Sequence, residues 1–150
     1  MSLPNLILFQ PDMAANTAAA MRLCAGLGVC LHIIEPCGFV WDERKLKQVA
    51  MDYLPLVNLT RHAGWEAFVA WAQGRRIVLF SSKAGTPYTS FAFHSADCLM
   101  FGRESAGVPD EIARQCTALV TIPMAAGARC LNVVTSAAMG LGEFLRQTKS

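Results

Sequence analysis

The stretch LMFGRESAGVP, residues 99–109, leaves an apolar run through two glycines and two opposite charges. A plain surface turn asks for Gly, Asn or Asp and has no use for Arg103 beside Glu104, unless the two form a surface ion pair. A ligand site at the mouth of a sheet uses all of them. Gly102 lets backbone approach a ligand closely, Glu104 fixes donors of the ligand or of a neighbouring loop, and Gly107 releases the chain into the next helix. Two more segments have the same form, FSSKAGTP (80–87) and IPMAAGARCLN (122–132), each an apolar run that enters a Gly-bearing loop. The tools of hydrolysis are scarce. His32, His62 and His94 are scattered, and His32 sits inside an apolar run, where it reads as a core histidine. No carboxylates pair by spacing, and the six cysteines form no C-x-x-C, so no metal set is read. A reaction on a pre-activated donor, needing little acid–base help, suits this inventory.

The elements that must position these loops alternate along the chain. Strands are expected at 5–10, 30–36, 56–60, 76–82, 97–102 and 118–123, and helices at 16–28, 41–54, 64–74, 108–116 and 130–147. Asn16 and Asp42 are plausible N-caps, Gly28 a plausible stop, and Leu46, Val49 and Tyr53 share a face. Strand–helix alternation with continuously apolar strands specifies an α/β fold, a mostly parallel sheet with helices on both faces. Ligands then sit beyond the carboxyl ends of the strands, where the three glycine-bearing loops lie. The common nucleotide fingerprints are absent. The first strand-to-helix turn, QPDMAANTAA, holds no glycine, and there is no G-K-[ST] and no G-x-S-x-G.

The 150 residues suit one domain, 1–150, and a chain of this length buries a full core without metal or disulfide. A net charge of +2 does not announce a nucleic-acid binder, although the nine arginines outnumber the four lysines and match phosphate geometry well. The N-terminus lacks a basic region before its short apolar stretch, and no run reaches membrane length. A cytoplasmic protein with reduced thiols is expected.

Three stretches together resemble the SPOUT class of S-adenosylmethionine-dependent RNA methyltransferases, most closely the small enzymes that 2′-O-methylate the wobble nucleotide of tRNA. In the first, residues 11–39, Asn16, Thr17 and Arg22 match, while Ala18 and Ala19 replace Gly and Asn. In the second, Phe101, Gly102, Glu104 and Gly107 match. In the third, Ile122, Pro123, Met124, Arg129, Leu131 and Asn132 match, Cys130 replaces Ser, and Val134 and Thr135 replace Ser-Asn.

The resemblance implies a C-terminal trefoil knot, S-adenosyl-L-methionine as cofactor, tRNA as partner, and a homodimer built on the first and last helices. Arg22 is implied as the catalytic residue, acting as base or as clamp on the adjacent phosphate; a guanidinium is a very poor base, which favours the clamp. Phe80, Gly102, Glu104, Ile122, Met124, Cys130 and Leu131 would bind the cofactor, with Asn16, Arg22 and Asn132 toward the substrate. Asn132 would cap the last helix or bind the loop, and Arg146 would face the interface or the tRNA. Methylation of another tRNA or rRNA site, a non-catalytic RNA-binding relative, and a doubly wound flavin or nucleotide binder are the alternatives.

Overall fold

The computed structural model describes residues 4–50, 57–128 and 131–149. Its six strands, β1 (Asn5–Phe9), β2 (Cys30–Ile34), β3 (Asn58–His62), β4 (Ile77–Phe80), β5 (Cys98–Phe101) and β6 (Ala118–Val120), form one sheet in the order β3-β2-β1-β5-β4-β6. Every pairing is parallel. The described helices are α1 (Ala14–Leu27), α2 (Glu43–Ala50), α3 (Trp65–Ala72), α4 (Asp110–Gln115) and α5 (Val133–Thr148).

Both faces of the sheet are covered, as its apolar strands require. In β1 the alternation is visible residue by residue. Leu6 and Leu8 pack into the core shared with Met21, Leu46 and Phe144 of α1, α2 and α5. Ile7 and Phe9 point the other way, into the core built on Phe68 of α3 and flanked by Ile112 of α4. Helices therefore lie on both faces, as the alternation required.

Several expected boundaries shift for local reasons. α1 starts at Ala14, and Met13 occupies its N-cap position without a side-chain bond, so Asn16 is not the cap. Ala14 and Ala15 are good helix formers, and the Asn16 amide is engaged elsewhere. Gly28 does end the helix, in left-handed conformation at φ 67°. Val49 of α2 is exposed and the buried pair is Leu46 with Ala50, one turn apart; Tyr53 lies outside the described residues. β3 runs two residues further than expected because Arg61 and His62, polar enough to read as loop, find partners on β2. α5 begins at Val133, three residues late, because Asn132 caps it by accepting from Val134 N at 2.8 Å and Thr135 N at 3.3 Å. Leu131 thus belongs to the preceding loop. His32 is a core residue: its Nε2 bonds Asn5 Oδ1 and its Nδ1 bonds His62 Nε2, both at 2.9 Å. The five described cysteines are free, with Cys24 and Cys98 buried and their thiols pushed up to about 12 by desolvation.

Candidate active site

The strand order reverses direction between β1 and β5, which is where an open parallel sheet leaves a crevice. The loops after β1 and β5 meet there. Arg103 and Gly107 close the second loop on itself, with Arg103 N donating to Gly107 O at 3.0 Å and Gly107 N to Arg103 O at 2.8 Å. This closure explains both glycines. A Cβ on Gly102 would stand 2.6 Å from the carbonyl carbon of Gly107, and Gly107 itself has φ +63°. Arg103 makes no ion pair with Glu104 among the described residues. Its Nε donates to Gly107 O at 3.0 Å and its guanidinium lies 5.9 Å over Phe9.

Glu104 points the other way and ties the two loops together. Its Oε2 accepts from Asp12 N and its Oε1 from Asn16 Nδ2, each at 3.2 Å. The Asn16 carbonyl oxygen accepts from Asn132 Nδ2 at 3.1 Å. Glu104, Asn16 and Asn132, far apart in sequence, form one hydrogen-bonded chain, and Asn132 caps α5 and bonds the first loop at once.

Asp12 joins the same cluster, and sequence spacing did not find it. Its Oδ2 accepts from the Ser105 hydroxyl. Burial, reinforced by Asp12, pushes the Glu104 carboxyl above its ordinary value. Asp12 is held below its own, first by the hydrogen bond with the Glu104 side chain and also by Ser105. Of the two carboxyls, Glu104 holds a proton more readily. The residues stand 92 positions apart, so only the adjacency of β1 and β5 reveals the pair.

A cavity of about 830 Å³ opens beside this cluster, between the loops after β4, β5 and β6. Phe80, Gly102, Glu104, Ile122, Met124 and Leu131 line it, as do Asn16 and Asn132. Cys130 and Arg129 lie outside the described residues. Phe80 forms the floor: it stacks on Phe101 with ring centroids 4.5 Å apart and abuts α5 where Gly140 leaves room, a Cβ there falling 2.8 Å from its Cζ. Arg22 is exposed on α1 and does not line the cavity. Arg146 is exposed and held by Glu143 of the preceding turn, Nη2 to Oε2 at 2.7 Å.

The arrangement defines the class: a parallel α/β protein with a ligand-sized cavity at the switch point of its sheet. The chain belongs to the SpoU rRNA Methylase family, which its residues 4–142 match. It is 50% identical over 144 residues to the tRNA (cytidine(34)-2'-O)-methyltransferase of Beijerinckia indica, covering 95% of this chain and 90% of that one. It is 33% identical over 145 residues to the protein of the same name from Escherichia coli K12, covering 95% and 92%. A solved structure concerned with the 2-OH methylation of C/U34 on tRNA superposes with a TM-score of 0.91 at 34% identity, over 97% of this chain and 95% of that one.

Proposed function

We propose that this protein transfers a methyl group from S-adenosyl-L-methionine to the ribose 2′-hydroxyl of the wobble nucleotide of tRNA. The observation that carries the reading is the Glu104–Asn16–Asn132 chain, which joins one residue from each of the three motifs at the rim of a single cavity. The relatives that match nearly the whole chain bear that activity in their names.

The residues present fit the cofactor. The cavity falls in the range of small-molecule sites, roughly 300–1,000 Å³. Its floor is aromatic at Phe80 and Phe101. The backbone groups of Ile122 and Met124 make no hydrogen bond among the described residues, which leaves a polar edge for a base. When bound, S-adenosylmethionine supplies a methyl activated by a sulfonium, ready for in-line displacement. The chain's own task is to orient and to exclude water, which is worth roughly 7–11 kcal/mol in favourable cases. Glu104 and Asn132 hold the first loop against the cavity, and the Asp12–Glu104 pair keeps that contact closed. The departures from the family pattern leave this machinery intact: Ala18 is buried in α1, and Val134 and Thr135 serve Asn132 through backbone N–H groups.

Arg22 follows Asn16 by six residues, about 240° around α1, so it faces away from its own cavity. A homodimer packed on α1 and α5 would let one copy present Arg22 to the substrate held by the other, as a clamp on the phosphate beside the reacting ribose. The trefoil knot belongs to the same proposal. Thr121 N donates to Thr86 O and Tyr88 N to Thr121 O, both at 2.8 Å, and Gln147 of α5 bonds Phe91 O and Phe93 N, so the segment after β4 clasps the C-terminal chain. Among the described residues no helix is long and apolar enough to cross a membrane. The five described cysteines are free, which supports a reduced, cytoplasmic setting in this reading.

Incubation with tritiated S-adenosylmethionine and bulk tRNA, followed by nucleoside analysis, should yield 2′-O-methylated nucleoside at position 34. Absence of label would refute the reading. Arg22→Ala should lower turnover by at least about 10²-fold with cofactor affinity unchanged, the loss of one aligned electrostatic group. Near-normal turnover would remove its role.

A further inference from the structure

A second, smaller groove of about 300 Å³ lies on the same sheet edge, beyond the ends of β2 and β3, and the transfer machinery does not use it. Glu35, Cys37, Phe39, Trp41 and Arg61 line it. The Phe39 and Trp41 rings are stacked, 22° from parallel with centroids 6.1 Å apart. The Arg61 guanidinium lies 4.2 Å over the Trp41 ring. Glu35 holds it there, accepting from Arg61 Nε at 2.6 Å. Trp41 Nε1 is buried and has no hydrogen-bond partner among the described residues.

We propose that this groove takes an unpaired nucleobase of the substrate RNA, a second nucleotide besides the one whose ribose enters the transfer cavity. The proposal rests on the RNA reading above. A base has a flat face for Phe39 and Trp41, and it takes the place the guanidinium now holds. The released Arg61–Glu35 pair offers donors and an acceptor to the base edge. The space is that of one planar ring system, too small for a folded partner.

Charge supports the same occupant. α2 begins two residues after Trp41 and exposes Arg44, Lys45 and Lys47, where the flanking phosphates of a bound strand would lie. The groove is also joined to the transfer site. Gly38, between the groove residues Cys37 and Phe39, donates from its N to Pro11 O at 2.9 Å, and a Cβ on it would fall 2.6 Å from Asp12 Cβ. Asp12 in turn bonds Glu104 and Ser105. One continuous rim therefore carries both sites.

The test uses a synthetic 17-nucleotide anticodon stem-loop RNA with cytidine at position 34. Phe39→Ala and Arg61→Ala should each raise its Kd, read by fluorescence anisotropy, and its KM in methyl transfer by about 10-fold or more, the scale of one lost base stack. Kd for S-adenosylmethionine should stay within about twofold, and kcat within about threefold. Trp41→Phe, which keeps an aromatic face but a smaller one, should fall between these and the native protein. Tryptophan emission should be quenched by the stem-loop in the native protein, and this quench should vanish in Trp41→Phe. Native Kd and KM in folded Phe39→Ala and Arg61→Ala variants would overturn the proposal. So would parallel losses of cofactor affinity and melting temperature, which mark a structural role. If the native protein methylates no RNA, the transfer reading fails; the quench at Trp41 and its loss in the variants still decide the groove.

Discussion

Gly102→Ala isolates the contact on which the site depends. The added Cβ would stand 2.6 and 2.7 Å from the carbonyl carbon and Cα of Gly107. Ordinary contact begins near 3.4 Å, so the overlap is about 0.8 Å, and it falls on backbone that cannot swing aside. The 103–107 turn must move outward by about that amount. Overpacking of this kind costs about 1–3 kcal/mol. The same displacement stretches the Glu104 bonds to Asp12 N and Asn16 Nδ2, now 3.2 Å each, beyond hydrogen-bond range. Loss of bonds to this half-buried carboxylate adds about 1–2 kcal/mol, for a total near 3 kcal/mol. For a chain of this size that lowers Tm by about 10 °C. Methyl transfer should fall by about 10²-fold, since misplacing a positioning group by 1 Å has that effect. Urea unfolding and single-turnover transfer read the two effects. Gly26→Ala is the control: nothing lies within 4 Å of a Cβ there, and it should stabilise α1 by about 0.5–1 kcal/mol. A Gly102→Ala variant within 0.5 kcal/mol of the native protein, with native turnover, would refute the reasoning.

Asn132→Ala removes the cap of α5 and its bond to Asn16, and should cost about 1–2 kcal/mol in urea unfolding; Asn132→Asp keeps the cap and should recover most of that stability while leaving the Asn16 carbonyl unbonded. Arg76→Ala strands the carboxylate of Asp97, 1% exposed and now bonded at 2.7 and 2.6 Å, and should cost about 3–5 kcal/mol, visible as a lowered melting temperature. His32 is pushed down to about 4, first by desolvation and then by the neighbouring His62, so between pH 6.5 and 4 the unfolded chain binds more protons than the folded one. Stability from this residue is therefore complete above pH 6.5 and lost as pH falls, by about 2 kcal/mol between pH 7 and 5. His62 shifts in the same direction, and urea midpoints that stay flat over that interval would contradict the assignment.

The sequence by itself determined the strand–helix alternation, because strands buried on both faces must be predominantly apolar: NLILF, IVLF and CLMF are buried at every residue. It determined the helix stop at Gly28, a local backbone matter, and the three glycine-bearing exits that line the cavity. It did not determine where polar side chains spend their hydrogen bonds. Asn16 looked like a cap and is a bridge to Glu104; Asn132 is both cap and bridge. Arg61 and His62 looked like loop and complete a strand. The Asp12–Glu104 pair and the Trp41–Arg61 groove had no signature in spacing, since their members lie on different strands or on the loops that follow them. Spacing encodes only neighbours along one element. The partners of a polar group across the sheet are set by strand order: the insertion of β5 beside β1, a long-range event, brought Asp12 and Glu104 within bonding distance, and β3 beside β2 brought Arg61 over Trp41.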